Sequence, residues 1–188
     1  HLLLVDQAST YVLLTNAEYT LELMRSFEPK LASRGVVALN GIEMPSVSAS
    51  PSPHDGPRRI TCVGRIHPKK GQGVLLEAAT IARRRGVHFD LHFMGDALPE
   101  HRELEQELRR YVTDHQLSVT WHGFVDGDSR YTGYDVAVVQ SVVPEELSLV
   151  PAEALASGLA VVASGTDGTS GLMLDGEPGI CVPTPADD

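Results

Sequence analysis

The chain of 188 residues predicts a doubly wound parallel α/β sheet, and three observations carry that prediction. Short Val- and Ile-rich runs of three to six residues recur from residue 59 onward, the length and composition of strands buried on both faces. Amphipathic helical segments lie between several of them, and strand–helix alternation of this kind builds parallel sheets. The composition, 42% hydrophobic and 21% charged, is that of a globular chain long enough to bury a core without disulfide or metal staples.

The elements are read in chain order. A short strand is expected at Tyr11–Leu14, a helix at Ala17–Phe27 and a second strand at Val36–Leu39, stopped by the turn pair Asn40-Gly41. Ser- and Pro-rich MPSVSASPSPHDGP has no periodicity and reads as a linker or exposed loop. Strands are then expected at Arg59–Val63, Phe89–Met94, Val119–His122, Val136–Val139, Ala160–Ala163 and Ile180–Val182. The helix Val74–Arg85 turns Val74, Leu75, Ala78, Ala79 and Ala82 to one face and stops at Gly86. Pro99–His115 places Leu104, Leu108 and Tyr111 or Val112 at three-and-four spacing, with Glu early and Arg later, as the helix dipole favours. Leu149–Ser157 closes at Gly158.

Charge narrows the function. A net charge of −10 argues against a nucleic-acid or anionic-membrane binder, which needs a basic footprint. The average hides a gradient: residues 58–110 carry eleven bases against seven acids, residues 111–188 a single base, Arg130, against twelve acids. Arg58, Arg59, Arg65, Lys69 and Lys70 follow one another with no acid between them, so an anion is to be sought there. Cys62 and Cys181 sit in apolar runs and read as buried reduced thiols. The eight His show no metal-ligand spacing; His88 and His92 fall in a strand-like alternation, and Trp121 reads as core. No apolar run is long enough to span a membrane. His1 and HLLLV suit neither a natural start nor a signal peptide, so the sequence reads as an excerpt of a longer protein.

In open α/β sheets ligands bind beyond the carboxyl ends of strands, near helix N-termini, so the residues after each run matter most. Gly64-Arg65-Ile66-His67-Pro68-Lys69-Lys70-Gly71 follows one strand and leads into a helix. A guanidinium and an ammonium aimed at one point suit a diphosphate, although a solvated basic loop has the same composition. The loop is no Walker motif and no GxGxxG follows the strand, which disfavours a nicotinamide cofactor. After Val136–Val139 come Glu145 and, across the start of a helix opened by Pro151, Glu153. These carboxylates suit a ligand's hydroxyls, or Glu145 and Glu146 simply favour the positive end of the helix. Ser164-Gly165-Thr166-Asp167-Gly168-Thr169, Gly95-Asp96 and Gly123-Phe124-Val125 are weaker signals of backbone approaching a ligand.

In this order the segments resemble the C-terminal, nucleotide-sugar-binding half of a glycosyltransferase of family 4, of Rossmann-like GT-B fold. The matching runs are VGRIHPKKGQGVLLEAA, LHFMGDA, VTWHGFV, YDVAVVQSVVPEELSLVPAEALASGLAVVAS and DGEPGICVP, over about residues 58–183. Glu145-x7-Glu153 followed by Ala-Leu-Ala-Ser-Gly is the most specific part, and Leu39-Asn40-Gly41-Ile42-Glu43 resembles the stretch where such chains leave their N-terminal domain. The resemblance implies that residues 1–44 belong to the N-terminal domain and interdomain segment, 45–57 to a linker, and 58–188 to a truncated donor-binding domain. It implies that Arg65 and Lys70 grip the donor diphosphate and stabilise the leaving nucleotide. Glu145 then contacts the donor sugar near the reacting carbon, Glu153 the ribose hydroxyls, the Leu149 and Val150 amides a phosphate, and Gly95, Phe124 and Val125 flank the base.

The implied activity is sugar transfer from a nucleotide-diphosphate sugar with retention, without metal or resident cofactor. The acceptor is bound by an N-terminal domain mostly outside this chain, the location is cytoplasmic, with the inner membrane face open to the full-length protein, and the fragment alone is inactive. A non-catalytic GT-B-like interaction or regulatory module is the alternative. Glu146, Leu147 and Ser148 depart from the family's Gly or Pro, Phe and Gly after the first Glu, and an added carboxylate beside a phosphorylated sugar is unfavourable unless it points away.

Overall fold

A computed structural model of the protein describes residues 3–7, 10–45, 55–145, 148–165 and 179–182. Two sheets organise them. The first has three strands: β1 (Leu3–Gln7) pairs antiparallel with β2 (Thr10–Thr15), which pairs parallel with β3 (Gly35–Val37). The helices α1 (Glu18–Phe27) and α2 (Pro29–Ala32) join β2 to β3, and Leu13, Leu21 and Ala32 make a small core between them. Pro29 opens α2, where its missing N–H costs nothing.

The second sheet contains the predicted doubly wound arrangement. Its six strands are β4 (Arg58–Val63), β5 (Phe89–Met94), β6 (Val119–Trp121), β7 (Val136–Val139), β8 (Ala160–Ser164) and β9 (Gly179–Val182), all parallel, in the order β6-β5-β4-β7-β8-β9. From β4 the chain steps outward through α3 (Gln72–Arg84) and α4 (Arg102–Asp114); from β7 it steps the other way through α5 (Val150–Ala156). Right-handed crossovers then put α3 and α4 on one face and α5 on the other.

The core divides accordingly. Cys62, Ile66, Leu75, Leu76, Leu91, Phe93 and Leu108 pack on the α3–α4 face, with Trp121 stacked on Phe93 at 4.6 Å. Met94, Tyr131, Tyr134, Ala137, Val139, Ala154, Leu159, Val161 and Ala163 pack on the α5 face. Leu76 and Leu91 are wholly buried, a burial that stabilises by about 1.5–3 kcal/mol per side chain. Cys62 on β4 is a buried free thiol, its pKa pushed up to about 12 chiefly by burial, and Cys181 on β9 is free and half-buried.

β4 and β7 are the centre of the sheet, and their amino ends are clamped. Asp135, before β7, accepts from the Arg59 amide at 2.8 Å and from the Arg58 guanidinium at 3.1 Å, and its own amide donates to the Arg59 carbonyl at 2.9 Å. The carboxyl ends, where successive connections leave in opposite directions, are the topological switch point at which such sheets bind ligands.

One buried group on the α5 face couples stability to pH. His92 Nδ1 lies 3.0 Å from His122 Nε2, so one ring donates to the other, while His92 Nε2 is buried with no partner among the described residues. Burial, then the Arg59 charge and then His122, hold the His92 pKa below its ordinary value, with Asp90 opposing. The unfolded chain therefore takes up a proton below pH of about 6.5 that the folded chain resists, and the stability present above that pH is lost as pH falls. Melting temperature is expected to drop between pH 7.5 and 5, and the drop to be smaller in His92→Gln. An unchanged acid slope in the variant contradicts the assignment.

Candidate functional site

The site is assembled at the carboxyl ends of β4 and β7. After β4, Pro68–Lys70 form a single 3-10 turn, capped by the His67 ring, whose Nδ1 accepts from the Lys69 amide at 3.0 Å. The turn ends at Gly71, φ 63°, from which α3 departs. That geometry carries Lys70 back over the sheet. The chain leaving β7 meets it: the Val142 amide donates to the Lys69 carbonyl at 3.0 Å. Lys70 Nζ then donates to Glu145 Oε1 at 2.6 Å, an ion pair with side chains 31% and 17% exposed. Two residues 75 apart in sequence are thus brought to one point at the switch.

Arg65 stands earlier on the same loop, exposed and without an ion pair among the described residues. Its backbone is fixed: the Arg65 carbonyl accepts from Gln72 Nε2 at 2.8 Å, and Gln72 is buried at the start of α3. Gln72 Oε1 and Ser141 Oγ are buried without partners among the described residues, and both line a small crevice of about 10 Å³ together with Lys70 and Ser148. The site floor is therefore polar as well as charged. Gln72 and Ser141 were not singled out from the sequence; a buried amide at a helix start has no periodic signature.

The neighbouring strands contribute backbone. Gly95, after β5, donates to the Gly123 carbonyl at 2.7 Å, and a Cβ on it would lie 2.2 Å from the Gly64 oxygen, so only glycine lets the loops after β4, β5 and β6 close. Asp96 ties the same three: its carbonyl accepts from the Ile66 amide and its carboxylate from the Phe124 amide, both at 3.1 Å. Phe124 is exposed, whereas Val125 packs against the core on the α5 face. Of the two side chains that, besides Gly95, are expected to flank a base, Phe124 is the one that faces outward.

Leu149 precedes α5, Val150 opens it and Pro151 is buried in its first turn. Glu153 follows with its side chain 22% exposed, its Oε2 accepting from the Tyr131 hydroxyl at 2.5 Å and lying 3.3 Å from Arg130 Nη1. Sequence reasoning missed Tyr131. Arg130 carried a signal, as the single base among twelve acids, but the pairing needs the fold. Glu146, Leu147 and the turn Thr166–Thr169 lie outside the described residues. Among the described residues no three His, Cys, Asp or Glu side chains gather as a metal site would require, and no helix is long and apolar enough to cross a membrane.

Comparison with known proteins places this geometry in context. Residues 57–188 match the family model described as glycosyl transferases group 1. The chain is 31% identical over 163 residues to a phosphatidyl-myo-inositol mannosyltransferase of Mycolicibacterium smegmatis, covering 81% of this chain and 40% of that protein. It is 32% identical over 123 residues to the lipopolysaccharide 1,2-N-acetylglucosaminetransferase of Salmonella typhimurium, covering 62% of this chain and 32% of that one. It thus spans two fifths or less of these curated relatives.

Among solved structures, Anabaena HepE in complex with UDP and glucose aligns with a TM-score of 0.74 at 22% identity, over 88% of this chain and 47% of HepE. The C-terminal domain of the group 1 family glycosyl transferase LpcC from Francisella tularensis aligns with a TM-score of 0.59 at 27% identity, over 67% of each chain. The six-stranded unit has the fold of a GT-B half.

Proposed function

This chain belongs to the group 1 glycosyl transferases, and from that premise we propose that it is the donor-binding part of a retaining, metal-independent hexosyltransferase of family 4. The observation that carries the reading is the Lys70–Glu145 pair at the switch point. A donor diphosphate brings negative charge to the place where the ammonium now holds a carboxylate. Lys70 turns to the phosphates together with Arg65, and Glu145 is released toward the sugar. The same two cations stabilise charge building on the leaving nucleotide, an electrostatic contribution delivered by groups already in position.

Glu153 has one oxygen committed to Tyr131 and Arg130, and its other oxygen takes the ribose hydroxyls. The Leu149 and Val150 amides approach a phosphate, while Gly95 lets the loops close beneath the base and Phe124 covers it. Val125 supports that loop from the core. In this proposal residues 58–188 are the donor-binding domain, residues 1–44 belong to the N-terminal domain, and the acceptor is met by parts of the full-length protein outside this chain. The reaction belongs on the cytoplasmic side of the membrane, where nucleotide sugars are made. The chain alone binds donor without transferring sugar, because acceptor positioning supplies much of the rate.

The test is transfer by the full-length protein, screened against UDP-, GDP- and ADP-sugars. Glu145→Gln is expected to lower transfer by about a hundredfold or more, the size of effect seen when one electrostatic partner of a transition state is removed. Undiminished transfer by Glu145→Gln, with no loss on Glu153→Gln either, would favour a non-catalytic role for this half.

A further inference from the structure

Glu153 is held in an unusual way for a carboxylate one turn into a helix. Two groups from the segment before β7 converge on the same oxygen, Oε2: the Tyr131 hydroxyl donates to it at 2.5 Å, and the Arg130 guanidinium forms an ion pair with it at 3.3 Å. No described residue donates to Oε1. Both groups are themselves anchored. Tyr131 is 2% exposed, its ring inside the core on the α5 face. Arg130 Nε donates to the Gly127 carbonyl at 3.0 Å, and its guanidinium lies 5.3 Å from the Tyr131 ring. The Arg130 carbonyl accepts from Thr61 Oγ1 at 3.1 Å, and Thr61 is wholly buried on β4, the strand that runs into Arg65 and Lys70. The holders of Glu153 are therefore fastened to the strand that carries the two cations.

We propose that Tyr131 and Arg130 are positioning residues that fix Glu153 through Oε2 and leave Oε1 aimed at a vicinal diol, so that the site selects ribonucleoside over 2′-deoxyribonucleoside diphosphates. The inference rests on the reading of Glu153 given above. A free Glu side chain samples many rotamers, and a diol must pay to order it; a carboxylate already held on one oxygen spends its second oxygen on recognition alone. The tyrosine hydroxyl is suited to the task because burial and the adjacent carboxylate push its pKa upward, keeping it a donor across the working pH range. The segment from Phe124 to Tyr131 then unites two duties, offering Phe124 outward to the base and holding the carboxylate for the ribose.

The experiment titrates the chain calorimetrically with UDP, GDP and ADP and with their 2′-deoxy counterparts, in wild type, Tyr131→Phe, Arg130→Gln and Glu153→Gln. Wild type is expected to prefer the better-binding ribonucleotide by about tenfold, the worth of one charge-assisted hydrogen bond. Glu153→Gln and Tyr131→Phe should each erase most of that preference, weakening the ribonucleotide by about tenfold more than the 2′-deoxy compound, which keeps only its 3′-hydroxyl. Equal weakening of both sugars in Tyr131→Phe means a merely structural hydroxyl and overturns the proposal. So does full preference retained in both Tyr131→Phe and Arg130→Gln while Glu153→Gln loses it, and in that case the role of Glu153 stands. Preference retained in Glu153→Gln overturns that role itself, and binding of none of the six nucleotides overturns the donor-site reading beneath it. Should Tyr131→Phe not fold, Arg130→Gln decides.

Discussion

Replacing Lys70 by alanine is expected to weaken nucleoside-diphosphate binding to this chain by about a hundredfold or more. Loss of one charge-assisted contact accounts for roughly 1.5–3 kcal/mol of that. The structure adds a second contribution of the same sign. Glu145, with its side chain 17% exposed, loses the ammonium 2.6 Å away and stands as an uncompensated carboxylate beside the proposed phosphate position. Repulsion at such short range, in a partly desolvated site, is not screened as it is in bulk water. Lys69 next door is the control: it is exposed, outside the ion pair, and contributes its backbone to Val142. Lys69→Ala should therefore bind diphosphate within about threefold of wild type, as a solvent-screened charge does. Calorimetric titration of the two variants side by side checks both; equal losses would assign the effect to general positive charge.

Gly71→Ala is the variant with the largest expected effect on folding. The residue holds φ 63°, and a Cβ there would stand 2.1 Å from the Gln140 carbonyl oxygen and 2.8 Å from Val142 Cγ1. Left-handed strain on a non-glycine residue costs about 1–3 kcal/mol. Relieving the collision must also part the Lys69–Val142 bond that joins the two loops, a loss of about 1 kcal/mol. Together these lower the melting temperature by about 5–10 °C in a chain of this size. Gly86→Ala isolates the collision, because Gly86 has φ 77° with nothing within 4 Å of its built Cβ. It should lose only the strain. Diphosphate binding should fall in Gly71→Ala and not in Gly86→Ala, since only the first separates Lys70 from Glu145.

Much of this is legible in the sequence because parallel strands announce themselves. β5 and β7 are apolar runs whose ends in the sequence are their ends in the sheet. α3 begins two residues earlier than its apolar face suggests, since Gly71 caps it and Gln72, a polar residue, is buried in its first turn. β1 has no strand signature of its own in the sequence, because what makes it a strand is its partner β2. Within the site, the loops that carry Arg65, Lys70 and Glu145 and the helix start that carries Glu153 can be found from the rule that ligands meet strand carboxyl ends. The contacts among those residues cannot. Lys70 meets Glu145 and Tyr131 meets Glu153 only because β4 and β7 are neighbours and α5 packs against the segment before β7. Val125 shows another limit: it is half-buried against the core on the α5 face, a packing that its place in a loop beyond a strand does not announce.

The central claim is that Lys70, poised against Glu145 at the switch point, is the group that receives a diphosphate. A thermodynamic cycle tests it most directly, pairing Lys70→Ala with removal of the nucleotide's β-phosphate. UDP and UMP, or the guanosine or adenosine pair if one of those binds better, are titrated into wild type and variant. The account predicts that wild type prefers the diphosphate by about tenfold or more and that Lys70→Ala abolishes most of the preference, a coupling of about 1.4 kcal/mol or greater. Equal preference for the diphosphate in both proteins, with no coupling, would contradict it.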